Sequence, residues 1–147
     1  MNGINQISIF LENRAGSLSE ITQLLANSGI NLRAISISEN ADYGVLRLIA
    51  DDTEKAKNVL LENGCIMSMT PVAVLSLPDK PASLSKVLLL LAEKGIDIEY
   101  MYSLFTHQDG NAYIVFRLAE EGPFREIVKS HSLTIATKEE LGLKQGK

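Results

Sequence analysis

The sequence predicts an α+β protein made of two βαββαβ units, each a four-stranded antiparallel sheet with two helices on one face. Two observations carry this prediction. Residues 80–98 repeat residues 14–32 without a gap, which indicates an internal duplication. Each half also shows the same succession of period-two and period-3.6 apolar patterns. The units are predicted over residues 1–70 and 71–137, followed by a tail over residues 138–147.

The elements of the first half follow from its apolar periodicity. The segment QISIFL alternates apolar and polar residues, which is typical of a strand. Apolar residues at positions 18, 21, 24 and 25 define one face of a helix that begins at Ser17 and ends before Gly29. Two strands, NLRAISIS and YGVLRLIA, flank the turn ENAD. A second helix, TEKAKNVLLENG, and a short strand, CIMSM, complete the unit.

The second half repeats this order. VAVLSL is a predicted strand and SLSKVLLLLAEKG a predicted helix. The strands DIEYMYSLF and AYIVFRLA flank HQDGN, in which Asp-Gly is a hairpin signal. GPFREIVKS is the last helix and LTIAT the last strand. With right-handed crossovers, this order gives the ferredoxin-like fold in each half.

Two features indicate surfaces that need a cover. Tyr113 and Val115 are apolar on the strand face opposite to Phe116, so we expect strands that are buried on both faces. The units should therefore pack rigidly together and against a second chain. Leu89 points about 140° away from Leu84, the centre of the buried helix face. We expect Leu89 to be buried between repeats or between chains, and the protein to be a homodimer.

Composition excludes several functional classes. The chain has 147 residues and a formal net charge of −4 without a Lys/Arg cluster, which argues against nucleic acid. The apolar run at residues 87–92 is too short to span a bilayer, and the N-terminus lacks the features of a signal peptide. A single cysteine gives no disulfide or metal site. We expect a cytoplasmic protein with no catalytic residues, metal or cofactor, and no membrane partner.

The turn NRAGSL, followed by a helix that ends in GINL, resembles the ACT domain. This βαββαβ module senses amino acids in many metabolic enzymes, and its loose pattern is (D/N)-x-x-G-x-L followed by G-I-N. The resemblance covers nearly the whole chain as a tandem pair. It implies that the turn amides, and the Asn that opens the second strand, contact an amino-acid ligand near a domain interface. In the first repeat this set is Asn13, Arg14, Ala15, Gly16, Ser17, Leu18 and Asn31.

Elementary chemistry supports a carboxylate site at this turn. A helix N-terminus presents unpaired N–H groups and the positive end of a dipole. Gly16 allows close approach of the backbone, and Arg14 adds a charge. A structural alternative is that Ser17 and Glu20 form an S-x-x-E capping box, with Gly16 serving only a positive φ. Thr137 and Glu140 fit a second capping box at the start of a brief helix.

The second repeat offers another candidate site. In this turn Ala82 replaces the glycine, and Pro81 removes an amide donor. Asp97 stands where the first repeat has Asn31, and it would accept from an ammonium group. We therefore expect the first site to bind better than the second. The second set is Asp79, Lys80, Ala82, Ser83, Leu84 and Asp97.

These observations predict a freestanding regulatory protein that binds an amino acid or a similar small carboxylate and acts on its own packing or on a metabolic enzyme. One alternative is a regulatory subunit acting in trans, because FLENRAGSLSEI resembles the opening of acetolactate synthase small subunits. The second βαββαβ copy argues against that match. Another alternative is an acylphosphatase-like enzyme that uses Arg14 and Asn31, although the turn lacks the several glycines that wrap a phosphate.

Overall fold

The computed structural model describes residues 3–39, 42–106 and 108–144, which form two compact units. The first unit consists of Asn5–Thr70 with residues 142–144, and the second of Pro71–Leu141 with residues 3–4. Each unit therefore combines one repeat with a short segment from the far end of the chain. In the first unit, for example, the backbone N–H of Lys144 donates to the carbonyl of Asp51 at 2.7 Å.

The first unit contains six elements in the predicted order, and its sheet has the strand order β2-β3-β1-β4. Both β1 and β2 run antiparallel to β3. Of the predicted turn ENAD, residues 40 and 41 lie outside the described ranges. The elements are β1 (Asn5–Glu12), α1 (Ser17–Asn27), β2 (Leu32–Glu39), β3 (Tyr43–Ala50), α2 (Thr53–Glu62) and β4 (Met67–Pro71).

The second unit repeats this topology with the strand order β6-β7-β5-β8. The predicted α+β class with two ferredoxin-like units is therefore confirmed. No helix in the described ranges combines the length and apolar character needed to cross a membrane. The elements are β5 (Ala73–Pro78), α3 (Ser83–Glu93), β6 (Ile98–Ser103), β7 (Asn111–Leu118), α4 (Glu121–Ser130) and β8 (Thr134–Ile135).

Two local predictions in the second unit have different outcomes. The Asp-Gly hairpin is confirmed, because Asp109 and Gly110 have φ values of 52° and 75°, both in the left-handed region that a type I′ turn requires. The predicted strand LTIAT is too long, since β8 has only two residues. The backbone N–H of Leu133 still donates to the carbonyl of Val128 at the end of α4. Leu133 therefore does not belong to the strand, which begins at Thr134.

Each sheet packs one face against its two helices, as predicted. In the first unit, Leu25 of α1 and Leu60 of α2 are fully buried against Ile7 and Ile9 of β1. In the second unit, Leu91 of α3 and Phe124 of α4 are buried in a core that includes Leu75, Phe116 and Leu118. Complete burial of one such side chain stabilises the fold by roughly 1.5–3 kcal/mol.

Strand β7 is also buried on the face opposite to the helices, which confirms the prediction that it is buried on both faces. Tyr113 and Val115 are only 1% and 0% exposed, although they alternate with the core residues of β7. Leu89 is 60% exposed in the chain, and its expected burial in a contact stays a prediction, while Leu88 packs against the core as its angle predicts.

Residues 137–141 belong to the folded part of the second unit. The backbone N–H of Glu140 donates to Thr137 Oγ1 at 3.2 Å, and the N–H of Thr137 donates to Glu140 Oε1 at 2.8 Å, which confirms this capping box. It closes a turn and not the brief helix that the pattern predicts. The Tyr113 hydroxyl donates to Glu140 Oε2 at 3.1 Å, and Leu141 is fully buried.

Candidate functional site

The two turns between the first strand and first helix of each unit have equivalent backbone hydrogen bonds. In the first unit, Arg14 N donates to Glu12 O at 2.9 Å, and Ser17 N donates to Arg14 O at 3.3 Å. The equivalent bonds of the second unit are also 2.9 and 3.3 Å long. The duplication in sequence is therefore a duplication of backbone structure at the candidate sites.

A residue in the left-handed region precedes each of the two helices. Gly16 has a φ of 89°, and Ala82 has a φ of 74°. A Cβ built on Gly16 meets no atom within 4 Å, so the chain itself needs glycine there for its φ and not for space. Ala82 holds the same conformation with a Cβ, which costs an L-residue about 1–2 kcal/mol. The second turn therefore has the same backbone conformation as the first, although alanine stands in place of glycine.

Replacing Ala82 with glycine should stabilise the protein by up to about 1 kcal/mol. Relief of the left-handed strain contributes about 1–2 kcal/mol to the free energy of unfolding. The greater flexibility that glycine gives the unfolded chain lowers the same quantity by only about 0.4–1 kcal/mol. Urea unfolding at equilibrium measures this change. Ala92→Gly, on the exposed side of α3, is the matched control and should be destabilising by up to about 1 kcal/mol. Destabilisation by both variants would show that Ala82 is not strained.

The capping box predicted at the start of α1 is wrong. Gly16 occupies the N-cap and makes no side-chain cap, and Ser17 is the first helical residue. Ser17 and Glu20 are thus each one position too far along the helix to form the reciprocal pair. Ser17 Oγ is buried and has no hydrogen-bond partner among the described residues, and the residue is 7% exposed. An unsatisfied buried hydroxyl costs roughly 1–3 kcal/mol.

The absence of this cap leaves donors at the N-terminus of α1. In the described part of the chain, the backbone N–H groups of Leu18 and Ser19 have no acceptor. By contrast, Asp52 Oδ1 caps α2 by accepting from Lys55 N at 3.1 Å. The first turn of α1 therefore presents N–H groups and the positive end of the helix dipole to a ligand.

Arg14 is held by two carboxylates beside this helix end. Its Nε lies 3.0 Å from Glu12 Oε2, and its Nη1 and Nη2 donate to the two carboxylate oxygens of Glu20 at 3.1 and 2.8 Å. These hydrogen bonds raise the pKa of Arg14 and lower the pKa of Glu20. The Glu20 pair is therefore present above the ordinary pKa of a carboxyl and is lost as the pH falls through the lowered value. A ligand carboxylate that binds Arg14 must therefore share the guanidinium with Glu20 or displace Glu20 from it.

A pocket of about 330 Å³, open on one side, lies at this turn. Its lining includes five predicted site residues and four that the sequence did not indicate. Gly16 is not among them. The predicted five are Asn13, Arg14, Ala15, Ser17 and Leu18, and the others are Leu11, Glu12, Ile37 and Gly44. Gly44 reaches the turn through the pairing of β3 with β1, and Ile37 through the pairing of β2 with β3. No local motif reveals either contact.

Asn31 lies at the other end of the sheet from this pocket. Its N–H donates to Asp51 Oδ1 at 3.0 Å, and its carbonyl accepts from Asp51 N at 2.9 Å. Asp51 follows β3, whereas Gly44 of the pocket lies near the start of that strand, roughly 20 Å away. The helix α1 carries the chain back along the sheet, which separates the two parts of the motif. A ligand role for Asn31 stays a prediction.

The second candidate set is divided in the same way. Asp97 lines a separate pocket of about 180 Å³ with Lys94 and Glu120, and its carbonyl accepts from Ala119 N at 3.2 Å. At the other end of the sheet, Asp79 N donates to Gly110 O at 2.7 Å. The turn residues Lys80, Ala82, Ser83 and Leu84 follow Asp79. The described residues contain no group of three or more His, Cys, Asp or Glu side chains that could hold a metal ion.

Comparison with known proteins places these observations in a family. The family model of the ACT domain pair matches residues 2–144. The crystal structure of protein BT0572 from Bacteroides thetaiotaomicron is 39% identical in sequence, with 95% of each chain covered and a TM-score of 0.85. No curated protein matches the chain.

Two further solved structures share the fold at low identity. The ligand-free regulatory subunit of aspartate kinase from Thermus thermophilus is 19% identical over 88% of this chain and 95% of that chain, with a TM-score of 0.59. A structure of aspartokinase alpha and beta subunits is 16% identical over 90% of this chain and 95% of that chain, with a TM-score of 0.56. From the match over residues 2–144, the chain is a member of the ACT domain pair family.

Proposed function

We propose that this protein is a regulatory protein that binds an amino acid or a similar small carboxylate at the turn between β1 and α1. One observation carries the proposal: Ser17 and Leu18, at the uncapped N-terminus of α1, line the pocket, and the buried Ser17 Oγ has no hydrogen-bond partner among the described residues. A ligand carboxylate there accepts from the N–H groups of Leu18 and Ser19 and lies at the positive end of the helix dipole. Ser17 Oγ supplies one more hydrogen bond.

The regulatory output is a change in packing against a second copy or a partner metabolic enzyme. The pocket is open on one side, so a neighbouring domain that closes over the ligand would bind preferentially to the loaded state. The fold shared with an aspartate kinase regulatory subunit supports a subunit that acts in trans. Co-purification with a large catalytic subunit tests this version, including the acetolactate synthase small-subunit-like alternative.

The geometry favours binding over acyl-phosphate hydrolysis. An acylphosphatase-like site would need Arg14 and Asn31 to act together, but they lie at opposite ends of the sheet. The guanidinium of Arg14 is also occupied by Glu12 and Glu20, which would repel a phosphate. We therefore propose that the protein is not an enzyme. An acyl-phosphate hydrolysis assay at high protein concentration checks this, and turnover that depends on Arg14 would contradict it.

A thermal-shift screen of the twenty amino acids, repeated on Ser17→Ala, tests the proposed site. At least one amino acid should raise the Tm, because a ligand at one hundred times its Kd adds ~2.7 kcal/mol of stability. Ser17→Ala should not lower the stability of the free protein, since the lost hydroxyl has no partner among the described residues, but should reduce the ligand effect. Ser83→Ala, the equivalent change in the second turn, is the control. Equal ligand effects in all three proteins would contradict the site.

We also propose a homodimer in which Leu89 is covered. Leu89→Glu should give the mass of a monomer in light scattering, while the chain itself keeps its stability, because Leu89 is already 60% exposed within the chain. Gln23→Glu is the matched control, since Gln23 occupies the same position in α1 and is also exposed. The same mass for Leu89→Glu and for the unchanged protein would contradict a contact at Leu89.

A further inference from the structure

An exposed isoleucine forms one wall of the pocket. Ile37 pairs in register with Leu46 on the helix-facing side of the sheet, where Leu46 is fully buried. Ile37 itself is 52% exposed and lines the pocket. An aliphatic side chain left open inside a pocket favours a ligand with apolar surface, because contact removes both surfaces from water.

The pocket combines aliphatic side chains with hydrogen-bonding groups. Leu11 from β1 and Leu18 from α1 join Ile37 from β2, so that three elements supply aliphatic side chains. Hydrogen-bonding groups come from the start of α1, where the N–H groups of Leu18 and Ser19 lie, and from Asn13 and Arg14 of the turn. This combination fits a ligand that has both a carboxylate and an aliphatic group.

The charged residues near the pocket disfavour a ligand with an acidic or a basic side chain. Glu12 and Glu20 outnumber Arg14, so this cluster carries a net negative charge. A second ligand carboxylate would meet like charge. A cationic side chain would lie against the aliphatic wall, while both nearby carboxylates already pair with Arg14. The charges near the pocket therefore favour a ligand whose side chain is uncharged.

We propose, resting on the function proposed above, that the pocket selects monocarboxylic amino acids with an uncharged aliphatic side chain. Calorimetric titration of the full chain with leucine, isoleucine, valine, aspartate and lysine tests this. At least one aliphatic amino acid should bind about tenfold or more tightly than aspartate and lysine. Ile37→Ser should weaken that binding about tenfold, whereas Leu61→Ser, at an equally exposed leucine of α2 outside the pocket, should not.

The outcomes separate this proposal from the function on which it rests. Tightest binding of aspartate or lysine that is still weakened by Ser17→Ala would overturn the aliphatic class and leave the site intact. Unchanged leucine binding in Ile37→Ser would also overturn it. Binding of no amino acid at all would overturn the proposed function, and the aliphatic class with it.

Discussion

Replacing Gly16 with valine should lower the free energy of unfolding by about 2 kcal/mol or more and abolish the stabilising effect of the ligand. The φ of Gly16 is 89°, a conformation that a β-branched residue strongly resists. Because a Cβ there meets no atom within 4 Å, the loss comes from the backbone and not from a clash. A turn that shifts to relieve this strain moves the first amides of α1, which are the proposed ligand donors. Urea unfolding with and without amino acid measures both effects.

Gly122→Val is the matched control for this prediction. A Cβ at Gly122 also meets nothing within 4 Å, but the φ of Gly122 is not in the left-handed region. Valine there should change stability by less than about 1 kcal/mol, since glycine is itself unfavourable in a helix. Similar unfolding free energies for the two variants would contradict the role of the left-handed turn.

Replacing Leu141 with alanine should lower the free energy of unfolding by roughly 2–5 kcal/mol. Leu141 is fully buried, and its N–H donates to the carbonyl of Thr137 at 3.3 Å. The adjacent Glu140 is fixed by Thr137 and by the hydroxyl of the buried Tyr113. With its backbone held in place, the turn cannot collapse freely into the space that the missing side chain leaves, so the cavity remains.

Lys144→Ala is the control for Leu141→Ala. It shows whether any substitution in this segment lowers the free energy of unfolding, or only one that removes a buried side chain. The Lys144 side chain is 65% exposed, and its Nζ lies 3.7 Å from Asp52 Oδ2. Such an exposed ion pair contributes about 0–1 kcal/mol. Equilibrium unfolding in urea should therefore show a much larger loss for Leu141→Ala. Equal losses would mean that the buried position of Leu141 is not a source of stability.

The order of elements could be predicted because it depends on local patterns. The strand YGVLRLIA matches β3 residue for residue, and the repeat of residues 14–32 fixed the second unit once the first was assigned. The last strand and the tail could not be predicted so well. Ser132 takes a φ of 51°, and Leu133 still caps α4, which shortens β8. Leu141 and Leu143 are two buried leucines in an otherwise polar segment, and two positions are too few to define a period.

The site could be predicted only as far as the motif is local. Ser17 and Glu20 have the spacing of a capping box, but a shift of one residue in the helix start frees the Ser17 hydroxyl and pairs Glu20 with Arg14. Asn31 belongs to the sequence pattern, yet an 11-residue helix separates it in space from the turn. Ile37 reaches the pocket only because β2 pairs with β3, and no short sequence motif predicts such a long-range contact.

The most direct test of ligand binding at the α1 N-terminus is a backbone amide NMR titration of the full chain. The ligand is the amino acid that gives the largest thermal shift. Binding at this helix end should give the largest chemical-shift changes at the amides of Leu18 and Ser19, and small changes at the equivalent amides of Leu84 and Ser85. Changes confined to the second turn, or to residues distant from both turns, would contradict it.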